Sequence, residues 1–207
     1  MIAKPTPPEP AAWDACGAIL SGGKSTRMGA PKAGMLLPDG RSMIERTRDV
    51  LASFCQRVVF VGSPHGVQGH GVVDDERENA GPLGALEALL ASGMDEQYLV
   101  VPCDVPLAPP AFLARLTRDD AIDGMTVFHI EGRDRPSPLP CRIGVDCVED
   151  ISSLLDAGER SIFSLIDRLG ADVVTEPVAA RERDLLLNVN TPEDFERVFK
   201  ALRHDAL

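Results

Sequence analysis

Three cations, Lys24, Arg27 and Lys32, fall within nine positions of one glycine-containing stretch, AILSGGKSTRMGAPK (residues 18–32), in a chain whose net charge is −11. Glycines let backbone N–H groups approach an anion closely, and lysine and arginine offset charge on phosphate oxygens, so the stretch suits a polyphosphate. Gly23-Lys24-Ser25-Thr26 looks like the tail of a P-loop, G-x-x-x-x-G-K-[ST], but Ala18 stands where the first glycine must be. A P-loop also continues as a helix whose N-terminus faces the phosphates, whereas Gly29 and Pro31 fall in the second and third turns of any helix starting here. A G-x-G-x-x-G fingerprint is absent as well. The stretch therefore reads as an extended loop, with phosphate binding weighed against a merely solvated surface loop.

Two other places offer oxygen ligands: Asp104 in VPCDVP (101–106), and Asn188 and Asn190 in NVN (188–190). Magnesium takes one or two carboxylates together with phosphate oxygens and waters. Asp104 suits that task, and Asn190 either supplies a second oxygen or orders a metal-bound water. Turn and cap roles are the plain alternatives for all three residues. His65 and His70, five apart in a glycine-containing loop, read as loop residues rather than metal ligands. His129 reads as a side chain on the polar face of a strand, and Cys103 as a small packing residue. Arg133 and Arg135 in EGRDRPSPLP (131–140), with Arg160 in AGERS (157–161), are candidates for holding a second, phosphate-bearing or planar substrate.

These groups need a frame. Short apolar runs at 16–20, 57–61, 71–73, 98–102 and 125–130 read as buried strands, with a further strand near 171–175. Helical spacing occupies 42–54, 82–92, 109–118, 147–156 and 161–169, and such alternation implies βαβ units with a mostly parallel sheet. TPEDFERVFKALR closes the chain as a helix capped by Thr191, with Pro192 in the first turn and Glu193 and Asp194 at the positive end of the dipole. Ligands of open α/β sheets sit beyond the carboxyl ends of the strands. Residues 21–32, Asp74 and PCDVP follow predicted strands, NVN is read as ending a strand just before the last helix, and together they become the expected site.

At 207 residues and 44% apolar content the chain can bury one sizeable core. We expect a flexible proline-rich tail over 1–14 and a single domain over 15–207. The acidic surface argues against nucleic acid and anionic membranes as partners. Five cysteines, an odd number without a C-x-x-C pair, indicate neither a disulfide framework nor a zinc site and point to the cytoplasm.

Read as L-x-G-G-x-S-x-R-M-G-x-x-K, residues 20–32 resemble the signature of nucleotidyltransferases with a glycosyltransferase-A-like fold. GPLGALEALL (81–90), VPCDVP, DAGERSIFSLIDRLG (156–170) and LLNVNTPEDFE (186–196) narrow the resemblance to the molybdenum cofactor guanylyltransferases, the MobA family, over roughly residues 16 to 200. The resemblance implies a three-layer αβα Rossmann-like fold with a mostly parallel mixed sheet. It also implies transfer of GMP from GTP to molybdopterin with release of pyrophosphate. The attacking phosphate is already ionised near neutral pH, so no strong general base is needed. Carried over by position, Leu20, Ser21 and Gly22 line the nucleotide, Lys32 meets its phosphates, Asp74 contacts GTP and Asp104 binds Mg2+; beside them, Gly23 reads as further nucleotide lining, Arg27 as offsetting phosphate charge and Asn190 as a second oxygen for the ion. Transient contact with molybdoenzymes or cofactor-biosynthesis proteins is implied too.

Three positions depart from the family pattern: Ser21 for alanine, Pro31 for an acidic residue, and Val61 where an asparagine can follow the second strand. A cytidylyltransferase or another nucleotidyltransferase is the near alternative. A P-loop-like NTPase and a non-catalytic nucleotide-binding regulator are the alternatives of other classes.

Overall fold

The computed structural model describes residues 11–21, 32–74, 77, 80–118 and 123–204. Inside its sheet lies β1 (Trp13–Leu20), buried without interruption from Ala15 onward. A strand covered on both faces needs no polar alternation, which is why CGAIL reads as a continuous apolar run. β2 (Cys55–Val61) and β4 (Gln97–Pro102) pair with β1 in parallel on either side, and β3 (Gly71–Val73) extends the sheet beyond β2. On the other flank β6 (Ser137–Gly144) runs antiparallel to both β4 and β5 (Met125–Ile130), and β7 (Val173–Val178) pairs in parallel with β5. The order is β3-β2-β1-β4-β6-β5-β7, a mostly parallel mixed sheet. The carboxyl ends of every strand except β6 thus meet at one end of the sheet.

Helices cover both faces. On one, α2 (Gly81–Ala91), α4 (Val148–Asp156) and α5 (Ile162–Leu169) bury leucines and isoleucines against Val100, Val127 and Ile143. On the other, α1 (Met43–Ala52) and the single turn α3 (Pro110–Leu113) pack on Ile19, Leu99 and Phe128. The caps explain the helix starts. Ser42 and Glu45 form a reciprocal capping box at α1, and Ser161 accepts from the Phe163 N–H at α5. At α6 (Pro192–His204) Thr191 accepts from the Asp194 N–H while Asp194 accepts from the Thr191 N–H, as the sequence implied.

A third, smaller core joins Leu37 and Met43 to Val189 and Val198, with Met35 and Leu107 packed against it. It draws together the chain after Lys32, the loop after Asp104 and the segment that opens α6.

Two elements depart from the expected pattern. The segment 131–140, given no strand in the sequence analysis, is a turn only to Pro136, because β6 begins at Ser137. The expected helix over 109–118 is α3 followed by a 3-10 turn, Ala114–Thr117, since Pro109 and Pro110 set a tight start and the segment is short.

Gly124, at φ +89° ahead of β5, faces the backbone of Asp172, whose carbonyl oxygen a Cβ would strike. Both the left-handed backbone and the collision demand glycine. Gly124→Ala is expected to lower stability by about 2–4 kcal/mol; a urea melt within about 0.5 kcal/mol of the parent would show that the β5–β7 junction yields easily.

Candidate functional site

Backbone hydrogen bonds knit the carboxyl ends of the first four strands. The Ser21 N–H donates to the Val61 carbonyl at 3.0 Å, the Gly62 N–H to the Val73 carbonyl at 2.9 Å, and the Cys103 N–H to the Leu20 carbonyl at 3.1 Å. Leu20, Ser21, Asp74 and Asp104 are therefore held along one edge, as strand-end logic required. The Ser21 hydroxyl also donates to the Val61 carbonyl, at 3.1 Å. Two of the family departures thus lie against each other, and Ser21 spends its proton on strand pairing. Asp74 is exposed at the end of β3.

Asp104 is half-buried in the turn after β4. Its carbonyl accepts the Val189 N–H at 2.9 Å, across 85 residues of chain. Val189 is buried in the third core, so the asparagines on either side of it are carried to the Asp104 turn. Asn190 lies exposed there, its backbone N–H donating to the Asp194 carboxylate at 3.1 Å as part of the α6 cap. The cap fixes the backbone at 190–191 and hence where the Asn190 side chain starts. The chain at Asn190, far from Asp104 in sequence, is thus joined to the turn that carries Asp104.

Gly22, Gly23, Lys24, Arg27 and Pro31 lie outside the described residues; for Lys32 the description covers the backbone, which opens a 3-10 turn, Lys32–Gly34.

Of the candidate acceptor arginines, two are engaged. Arg135 stacks its guanidinium 4.5 Å over the Phe163 ring and pairs with Asp167. Arg160 donates to the Leu155 and Glu159 carbonyls at 2.9 and 2.7 Å, capping the end of α4, and its backbone lies beside Gly81 at the start of α2. Arg133, exposed in the turn after β5, has a guanidinium with no carboxylate partner among the described residues. Its carbonyl bonds His129 Nε2 at 2.8 Å.

The remaining candidates take the plain readings. His70 Nδ1 accepts the Val58 N–H at 2.9 Å, a structural bond, and His65 occupies a turn at φ +49°. Cys103 packs against the α1-side core. Burial raises the Cys16 thiol to about 11 and those of Cys55 and Cys147 to about 12, with neighbouring acidic groups contributing, and drives Cys141 up as well. These four thiols stay protonated and inert.

No group of three or more His, Cys, Asp and Glu side chains able to enclose a metal occurs among the described residues. Magnesium beside nucleotides draws most of its ligands from substrate phosphates and water and needs only one or two protein oxygens.

A sheet of this order with helices on both faces, its strand ends tied together beside one carboxylate, is the framework of a nucleotidyltransferase. Two solved structures share it, each at a TM-score of 0.75. The molybdopterin-guanine dinucleotide biosynthesis protein A of Archaeoglobus fulgidus is 22% identical, covering 91% of this chain and 99% of its own. A nucleotidyl transferase of Methanothermobacter is 19% identical, covering 93% and 99%. The chain belongs to the MobA-like NTP transferase family, whose domain spans residues 17–173. A molybdenum cofactor guanylyltransferase of Xanthomonas euvesicatoria is 34% identical over 187 residues, covering 88% of this chain and 93% of the relative. Another, from Ectopseudomonas mendocina, is 31% identical over 84% and 87%. Membership makes the protein a nucleotidyltransferase and sets aside the P-loop alternative.

One contact on the Asp104 loop carried no signal in the sequence. Arg46, in the middle of α1, donates from Nε to the Pro106 carbonyl at 2.6 Å, on the loop that carries Asp104. Nothing in MIERTRDVLA separates it from Arg48, since the contact spans 60 residues.

Proposed function

We propose that the chain transfers GMP from GTP to the phosphate of molybdopterin, forming the guanine dinucleotide cofactor. An acceptor phosphate oxygen bonds to the α-phosphorus of GTP, and the bond from that phosphorus to the bridging oxygen breaks, so pyrophosphate leaves. The curated relatives support the donor and the acceptor. The observation that supports the reading is the Val189-to-Asp104 backbone bond, which joins the chain at Asn190 to the turn that carries Asp104 at the carboxyl end of β4.

Both substrates are anions, so catalysis rests on alignment and on neutralising charge. Leu20, Ser21 and the glycines after them would offer backbone to the nucleotide, Arg27 and Lys32 would meet its phosphates, and Asp74 would contact GTP. Asp104 and Asn190 would hold Mg2+. When bound, the ion polarises the α-phosphoryl oxygen and steadies the leaving pyrophosphate. The half-burial of Asp104 limits the water around its charge, which strengthens its hold on a cation. Arg133 would draw in the acceptor. No helix among the described residues is long and apolar enough to cross a membrane, and five free thiols suit a reducing cytoplasm.

The test is pyrophosphate release with Mg2+, molybdopterin and each nucleoside triphosphate in turn. Release that needs the acceptor and runs with GTP at least about tenfold faster than with CTP supports the reading. Preference for CTP selects a cytidylyltransferase, and GTP binding without turnover selects a regulator.

A further inference from the structure

Residues 103–106 carry Asp104 and are tied to the rest of the fold at both ends. Two ties are backbone bonds, Cys103 N–H to the Leu20 carbonyl and Val189 N–H to the Asp104 carbonyl. The third is a side chain. Arg46 Nε donates to the Pro106 carbonyl at 2.6 Å, and Nη1 of the same guanidinium faces Asp39 Oδ2 at 3.6 Å. Asp39 belongs to the tight turn after the Lys32–Gly34 segment, closed by Leu37 N–H to Arg41 O and Gly40 N–H to Leu37 O. One planar group thus bridges the chain leaving the glycine-rich loop and the chain leaving Asp104.

The environment favours this strut. The Arg46 side chain is only 21% exposed, so its charged donor acts where water competes weakly. The hollow of about 10 Å³ that it borders with Val105 and Pro106 has no room for a ligand larger than water. Proline already fixes φ at 102 and 106; anchoring the Pro106 carbonyl removes much of the remaining freedom in the peptides around Asp104. A carboxylate that must meet a small ion demanding near-ideal geometry gains most from such fixing.

We propose that Arg46 is a positioning residue for the metal–nucleotide site, holding the Asp104 loop at a set distance from the turn that carries Asp39. The proposal rests on the reading of Asp104 as the metal-facing carboxylate. Arg41 provides the internal control: it pairs with the same Asp39, at 2.6 Å, and with Asp49, but does not touch Pro106.

The experiment uses Mn2+ as the probe. Free Mn2+ is followed by electron paramagnetic resonance during titration of the full chain with GTP, without acceptor, alongside GTP binding in EDTA and a thermal melt. Arg46→Ala is expected to weaken Mn2+ binding in the presence of GTP by about tenfold and to leave metal-free GTP binding unchanged. Arg41→Ala keeps the parent affinity. Arg46→Lys, a point charge that meets one partner at a time, falls between and carries the test where the alanine variant does not fold. At saturating Mg2+ the Arg46 variants recover most of kcat. Parent-like Mn2+ affinity in Arg46→Ala or Arg46→Lys overturns the proposal, as does an equal loss in Arg41→Ala. If Asp104→Ala also binds Mn2+ like the parent, the metal assignment itself falls and takes the strut with it; if Asp104→Ala loses binding and Arg46→Ala does not, the strut alone fails.

Discussion

Asp104→Ala is expected to cut GMP transfer by about 10³-fold while the chain stays folded. The loop around Asp104 is held by the Cys103 N–H, the Asp104 carbonyl and the Pro106 carbonyl. None of these involves the carboxylate, so its removal leaves the anchors in place. What disappears is the one negative charge that the β4 loop offers a cation at the strand ends. With two phosphates approaching each other, the uncompensated repulsion falls mainly on the transition state, so kcat drops more than the KM for GTP rises. Asp104→Asn retains shape and hydrogen-bonding capacity without the charge and is expected to fall nearly as far, which separates charge from packing. The measurement is pyrophosphate release at saturating GTP and acceptor, beside a thermal melt that stays within a few degrees of the parent. An Asp104→Ala enzyme with parent kcat would falsify the assignment of this carboxylate to the metal.

The frame of this site was readable from local pattern, because fully buried parallel strands give apolar runs and the helices between them give a 3.6-residue period. β6 escaped for a physical reason. Pro136, Pro138 and Pro140 suggest a loop, yet the pairing of β6 with β4 starts only at Cys141 opposite Val100. Toward β5, a register shift separates the Ser137 and Cys141 pairs. The prolines thus sit where the ladder asks for no N–H donor. Arg142 deepens the disguise, since a charged residue buried to 2% exposure does not read as part of a central strand. The site divides in the same way. Asp104 and Asp74 follow apolar runs, so the rule about strand ends finds them. The backbone bond that brings the chain at Asn190 to the Asp104 turn spans 85 residues, so the sequence offered Asn190 only as a polar residue placed just before the last helix. Arg46 could be seen only in three dimensions, because its partner is a carbonyl and every residue has one.

Arg133→Ala is expected to raise the KM for molybdopterin by about 10- to 100-fold with little change in the KM for GTP. The turn it occupies follows β5, which lies two strands, about 10 Å across the sheet, from β4. That gap matches a molecule whose phosphate reacts at β4 while its body extends over β6 and β5. The three candidate arginines are not equivalent there. Arg135 is committed to the Phe163 face and to Asp167, and Arg160 to carbonyls at the end of α4. For either to bind an anion, existing bonds must first break, and the gain shrinks by what they contributed. Arg133 has no such debt, and a guanidinium offers paired donors to a phosphate or to the edge of a planar ring. Arg135→Ala is therefore expected to act chiefly on the packing of α5, lowering the melting temperature by a few degrees while the acceptor KM changes less than about threefold. Steady-state kinetics with acceptor varied at saturating GTP distinguishes the two variants. The reverse pattern, a large acceptor effect from Arg135 and none from Arg133, would mean that the acceptor lies against α5 and displaces the Asp167 pair on binding.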